Sequence, residues 1–106
     1  MKDDQFYLIH IRECLEWIEK FTSEGKKGFL SDKKTQDAGL RNIEVIGEAV
    51  KHLSSEYRNA HAGIPWKQMA GMRDKLIHEY FGVNLDLVWE VVEKEIPKLK
   101  KELFAP

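Results

Sequence analysis

At 106 residues the chain has room for one hydrophobic core, and a chain of this size should bury about 60 to 70% of the surface its unfolded form exposes. Its 42% hydrophobic and 33% charged residues suit a soluble globular domain of amphipathic helices and speak against disorder. Seventeen basic against eighteen acidic side chains leave a net charge of −1, which excludes holding long nucleic acid by bulk electrostatics and makes any RNA contact a local one.

The first stretch, MKDDQFYLIHIRE, has acids where a signal peptide would need a cationic segment, and no apolar run approaches the ~20 residues of a membrane span. The expectation is a cytoplasmic protein without a membrane partner. A lone cysteine, Cys14, rules out an internal disulfide and a cysteine-based metal site, and it reads as a small buried hydrophobe.

The first helix is expected from an N-cap at Asp3 or Asp4 to about Ser23, with Leu8, Ile11, Leu15, Ile18 and Phe21 as its core stripe. Trp17 lies off that line, as a cover for a neighbour or an interface residue, and His10 reads as surface. Glu24 to Gly28 form a polar break, after which Phe29 and Leu30 dock on the bundle. Ser31 or Asp32 then caps a long helix to about Tyr57, whose stripe is Ile43, Ile46, Val50, Leu53 and Tyr57. Its other side mixes Ala38, Val45 and Ala49 with Arg41, Glu48 and His52, and reads either as an exposed face with an Arg41–Glu48 ion pair or as a subunit contact. Gly47 in mid-helix suggests a second backbone passing close by.

Arg58 to Ile64 reads as a loop, and Pro65 as the first position of a third helix with Trp66, Met69 and Met72 inward. Gly82 ends that helix and Asn84 or Asp86 caps the next, with Leu85, Val88, Trp89 and Val92 as its apolar face. Pro97 kinks this helix or starts a fifth, short one through Leu103. No strand pattern is visible.

The chemistry concentrates between Gly71 and Gly82, GMRDKLIHEYFG. At about 100° per residue, Met69, Met72, Leu76 and Tyr80 share the core-facing stripe. Arg73 sits at its edge, where a guanidinium needs a partner, a solvated cleft or a ligand. Asp74 and His78 are four apart, close enough for the carboxylate to orient the imidazole. From Arg58 to Tyr80 the charge tilts positive, with Arg58, Lys67, Arg73 and Lys75 against Asp74 and Glu79. The phosphate-cradling glycine loops are absent, His10, His52, His61 and His78 lack the spacing of metal ligands, and no elbow serine appears. Neither a metal nor a cofactor is expected. What remains is a proton carrier, His78, with a cation, Arg73, on the same helix.

In these residues the chain resembles the HEPN superfamily and, within it, the HepT-like toxins, whose signature R-x4-H-x-Y is matched by Arg73, His78 and Tyr80. The resemblance extends over RNIEVIGEA (Arg41 to Ala49), IPW (Ile64 to Trp66), GMRDKLIHEYFGV and LVWEVVEKEIPKL (Leu87 to Leu99). It implies an all-α fold, an antiparallel bundle of four to five helices in a single domain spanning residues 1–106. It further implies a homodimeric, metal-independent endoribonuclease, the toxin of a toxin–antitoxin pair, acting on RNA with transfer RNA among the candidates. Arg73 and His78 are then the catalytic pair and Asp74 and Glu48 support them. Tyr80 contacts phosphate or accepts AMP from a partner, a minimal nucleotidyltransferase antitoxin. A rival reading, which the near-neutral charge favours, is a non-catalytic helical adaptor of such a nucleotidyltransferase.

Overall fold

A computed structural model describes residues 4–78 and 85–104, apart from the side chains of Arg73 and of residues 75–78. The expectations at Asp3, Tyr80, Gly82 and Asn84, and for the Leu76 side chain, lie outside the described residues. Every regular element among the described residues is helical: α1 (Asp4–Phe21), α2 (Gly25–Ser31), α3 (Lys33–Lys51), α4 (Ser55–Ala60), α5 (Trp66–His78), α6 (Leu85–Glu90) and α7 (Ile96–Phe104). The rods α1, α3, α5 and α6–α7 form the all-α bundle, and α2 and α4 are short connectors.

The apolar stripes assemble the core as periodicity requires. Ile11, Leu15 and Ile18 of α1 and Ile43, Ile46 and Val50 of α3 are sealed from solvent. Both faces of the central α3 are occupied, by α1 and by α5. Neighbours run antiparallel: the carboxylate of Asp4, at the start of α1, meets Ser54, just past the end of α3. Lys100 of α7 pairs with Glu19 near the end of α1 at 2.6 Å, while Arg12 lies over the Phe104 ring.

Several details depart from the sequence expectations. Asp4 does not cap α1. Its oxygens accept from the backbone N–H of Ser54 at 2.7 Å and from the Ser54 hydroxyl at 2.6 Å. Phe21 is 36% exposed and Leu30 39% exposed, because α1 ends at Phe21 and only Phe29 of α2 turns inward. The expected polar break holds a short helix: Gly25 makes the turn at φ +80°, and a side chain on Gly28 would meet Glu24 Cβ at 2.6 Å. The long helix stops at Lys51, six residues early, because Ser54 starts a new one, its hydroxyl accepting from the Tyr57 N–H at 3.0 Å. Arg58 to Ala60, expected as loop, therefore lie in α4. Leu53 stays buried nonetheless.

On the outer side of α3, Arg41 pairs with Glu44 at 3.2 Å and Glu48 with Lys51 at 3.8 Å, in place of an Arg41–Glu48 pair. Residues seven apart stand about 10 Å along a helix, whereas three apart they are neighbours. The short last helix expected from Pro97 is present as α7, beginning one residue earlier, at Ile96, and running through Phe104. A π-helical turn, Val91–Glu95, joins α6 to α7, and the Ile96 N–H bonds back to the Val91 carbonyl. The wider turn relaxes the stretch ahead of Pro97, which lacks an N–H and would crowd the carbonyl four residues back. Val88, Val92, Ile96 and Leu99 stay in phase and buried across it.

Candidate functional site

The helix carrying the motif is anchored at its N-terminal end. The Pro65 carbonyl accepts from the Met69 N–H at 2.9 Å, which puts Pro65 at the cap, one position ahead of the first helical residue. The Trp66 indole N–H donates to the carbonyls of Arg58 at 3.0 Å and His61 at 3.1 Å, tying α5 to the end of α4. Ile64 and Met69 are buried on either side of this junction.

Arg73, Asp74 and His78 occupy the last turns of α5, and the backbone is α-helical through His78. Arg73 and His78 therefore stand roughly 140° apart around the axis and about 7.5 Å along it. Positions 74 and 78 share a face. Asp74 is exposed and has interaction partners. Glu48 is exposed on α3, the helix packed against α5, with its carboxylate beside Lys51. Gly47, next to it, is buried. The motif's third member, Tyr80, is one of the positions that the description does not reach.

Among the described residues, hollows lie on either side of α5. One, about 390 Å³, lies against α6 and the π turn, with Met69, Met72, Leu87, Glu90 and Glu95 among its walls. The other, about 690 Å³ and broadly open, lies against α4 and the end of α3, where Lys51, Ser55, Arg58, Asn59, Trp66 and Lys67 converge. Sequence reasoning registered Arg58 and Lys67 only as a positive tilt and passed over Lys51. The signal that finds them is the fold itself, which brings three separate elements to one surface. Among the described residues no group of three His, Cys, Asp or Glu is placed to hold a metal ion, and no helix is long and apolar enough to cross a membrane.

Comparison with known proteins gives the motif its context. The chain matches the family described as ribonuclease HepT-like over residues 11–104. It belongs to the HepT-like family. Among its relatives is a Methanocaldococcus jannaschii protein named gamma-glutamylcyclotransferase and putative RNase, 52% identical over 97% of this chain. The chain spans about half of that relative, 47% of its length. A putative RNase of Caldanaerobacter subterraneus subsp. tengcongensis is 49% identical over 97% of this chain and 93% of its own length. The probable ribonuclease HepT of Thermococcus cleftensis is 50% identical over 89% of this chain and 86% of its own. No solved structure matches the chain significantly. In this HepT-like protein the α5 backbone is unbroken from Trp66 to His78, so the Arg73 and His78 positions lie five residues apart on one regular helix.

Proposed function

We propose that the chain is a metal-independent endoribonuclease. The observation that carries this reading is the R-x4-H-x-Y pattern at Arg73, His78 and Tyr80, inside a family match that spans residues 11–104. In the reaction, the 2′-hydroxyl oxygen of RNA attacks the adjacent phosphorus and gives up its proton. The bond to the 5′ oxygen breaks, and that oxygen takes a proton, leaving a 2′,3′-cyclic phosphate and a 5′-hydroxyl. His78 is the general base or acid, a role typically worth about 10² to 10⁴ in rate. Arg73 grips the phosphate and neutralises the charge that develops on it. Asp74 orients one of the two, and Glu48 supports them from α3.

A homodimer accounts for the divergence of Arg73 and His78 on a regular helix, since two copies of the motif can line one cleft. The exposed apolar residues on α1 support a subunit contact: Phe6, Ile9 and Trp17 are 39%, 49% and 48% exposed. Trp17 stacks on Phe21 at 5.5 Å between ring centroids. In the cell the protein is the cytoplasmic toxin of a toxin–antitoxin pair, silenced by a minimal nucleotidyltransferase that adds AMP to Tyr80. A bulky anion there excludes the RNA phosphate.

The test is cleavage of total cellular RNA in EDTA by the purified protein and by folded, dimeric His78→Ala and Arg73→Ala variants. Cutting by the unaltered protein, cyclic-phosphate products and a loss of at least about a hundredfold in the variants support the assignment. Equal inertness of all three on every RNA offered overturns it and leaves the adaptor reading.

A further inference from the structure

The hollow between α4 and α5 has the composition of a polyanion site. Lys51 comes from the last turn of α3, Arg58 from α4 and Lys67 from α5, and among the described residues no carboxylate lines the surface on which they converge. Several exposed cations elsewhere are matched on their own helices, as in Arg12–Glu16, Lys33–Asp37 and Arg41–Glu44. Here only Lys51 has an ion pair among the described residues, a loose one at 3.8 Å to Glu48.

Arg58 is the most telling of the three. It is half-buried, and its Nε is shut off from solvent with no hydrogen-bond partner among the described residues. A guanidinium stripped of water on its inner edge, with no internal acceptor, is best completed by an anion on the side that faces the hollow. Trp66 forms a fixed wall: its indole N–H is already spent on the Arg58 and His61 carbonyls, and its ring is only half-buried. A held aromatic face among cations is the combination that stacks a base while its phosphates are gripped, and Ser55 and Asn59 add neutral donors.

The hollow also lies in line with the motif. Trp66, Ala70 and Arg73 are spaced four and three apart on continuous α5, one face of the helix, and Trp66 and Ala70 both line the hollow. From Trp66 to Arg73 is about 10 Å along the axis. That is the rise of about three stacked nucleotides.

The geometry points to this hollow as a subsite for the sugar–phosphate backbone of single-stranded RNA, holding the nucleotides that flank the scissile linkage. The choice of RNA as the polyanion, and of the scissile linkage as its neighbour, rests on the ribonuclease reading. The subsite also answers how a chain of net charge −1 holds RNA: through one local surface.

The experiment uses a fluorescein-labelled 12-nucleotide RNA and, for binding, the His78→Ala background so that nothing is cut. Lys51→Gln/Lys67→Gln changes only exposed side chains, so folding is not at stake, and Arg58→Gln is compared with Arg58→Lys. The double variant is expected to weaken binding about tenfold at 0.1 M salt and to flatten the plot of log K against log salt by about 1.4, the loss of two phosphate contacts on a single strand. In the cleaving protein the same double change raises KM on the 12-mer with kcat unchanged, and leaves cleavage of a dinucleotide, which ends before the hollow, as it was. Unchanged affinity and salt slope in a protein that still cuts RNA overturn the subsite and spare the ribonuclease assignment. Weakened binding by a protein that cuts nothing establishes the subsite and overturns the ribonuclease assignment. A protein that neither binds nor cuts overturns both.

Discussion

Among the described residues, the cleft between α5 and α6 is walled by Met69, Met72 and Leu87 and carries two carboxylates, Glu90 and Glu95, whereas the hollow between α5 and α4 carries Lys51, Arg58 and Lys67 and no carboxylate. One helix, about 10 Å across, separates them. That is about one Debye length at 0.1 M salt, so a polyanion approaching α5 meets repulsion on one flank and attraction on the other, with little cancellation. The near-zero net charge of the chain averages over this segregation. Whole-chain charge limits bulk electrostatics only, and here it hides a polarised helix.

The comparison can be broken first at the motif positions of α5. Replacing His78 or Arg73 by alanine should cost at least about a hundredfold in RNA cleavage, while folded variants on either flank keep kcat. A flank variant that loses kcat to the same extent would move the chemistry off these two residues. Next comes reversal of the two flanks. Lys67→Glu should weaken RNA binding about tenfold in fluorescence anisotropy at low salt, whereas Glu95→Lys should strengthen it by less than about threefold, because among the described residues no aromatic ring or cation lines the second hollow. Equal and opposite effects would mean that net charge alone is being read.

A smaller effect tests the foundation of the basic flank. Ser54→Ala removes the N-cap of α4 and should lower stability to urea by about 1 kcal/mol. The Ser54 hydroxyl and backbone N–H hold the Asp4 carboxyl below its ordinary pKa of 3.8. A depressed carboxyl contributes stability above its unfolded pKa and loses it as pH falls through the folded one. The stability difference between the unaltered protein and Asp4→Asn should thus be full at neutral pH and shrink once the pH drops below 3.8. The smallest effect concerns neither flank. Burial, with Glu13 adding to it, pushes the Cys14 thiol above its ordinary pKa, so alkylation of the folded protein at pH 8 should be slow and should speed up in urea.

Much of the fold was legible in the sequence because its core obeys helical periodicity. Ile11, Leu15 and Ile18, and Ile43, Ile46 and Val50, were identified by spacing and are the sealed stripes of α1 and α3. The same rule misled at the corner after Lys51, since Ile46, Val50, Leu53 and Tyr57 continue the three-and-four pattern straight through a break. The better signal was Ser54 with Glu56 behind it, a cap followed by an acid in the first turn. The π turn left no mark in hydrophobic spacing beyond the fours between Val88, Val92 and Ile96. For the site, the motif on α5 was readable because its members are close in sequence. The basic hollow was not, because Lys51, Arg58 and Lys67 belong to three elements whose meeting depends on the corner that was missed.

The clasp between Asp4 and Ser54 joins points fifty residues apart, and one hydroxyl serves both ends of it, donating to the Asp4 carboxylate and accepting from the Tyr57 N–H. Its consequence is dynamical. When the first turn of α1 frays, Ser54 loses its hold, the opening turn of α4 loosens, and Arg58, one residue beyond Tyr57, loses its fixed position. Fluctuations at the beginning of α1 are in this way transmitted to the far wall of the basic hollow. Hydrogen exchange at the Tyr57 and Arg58 amides reads that motion directly, as local opening shared by two segments distant in sequence.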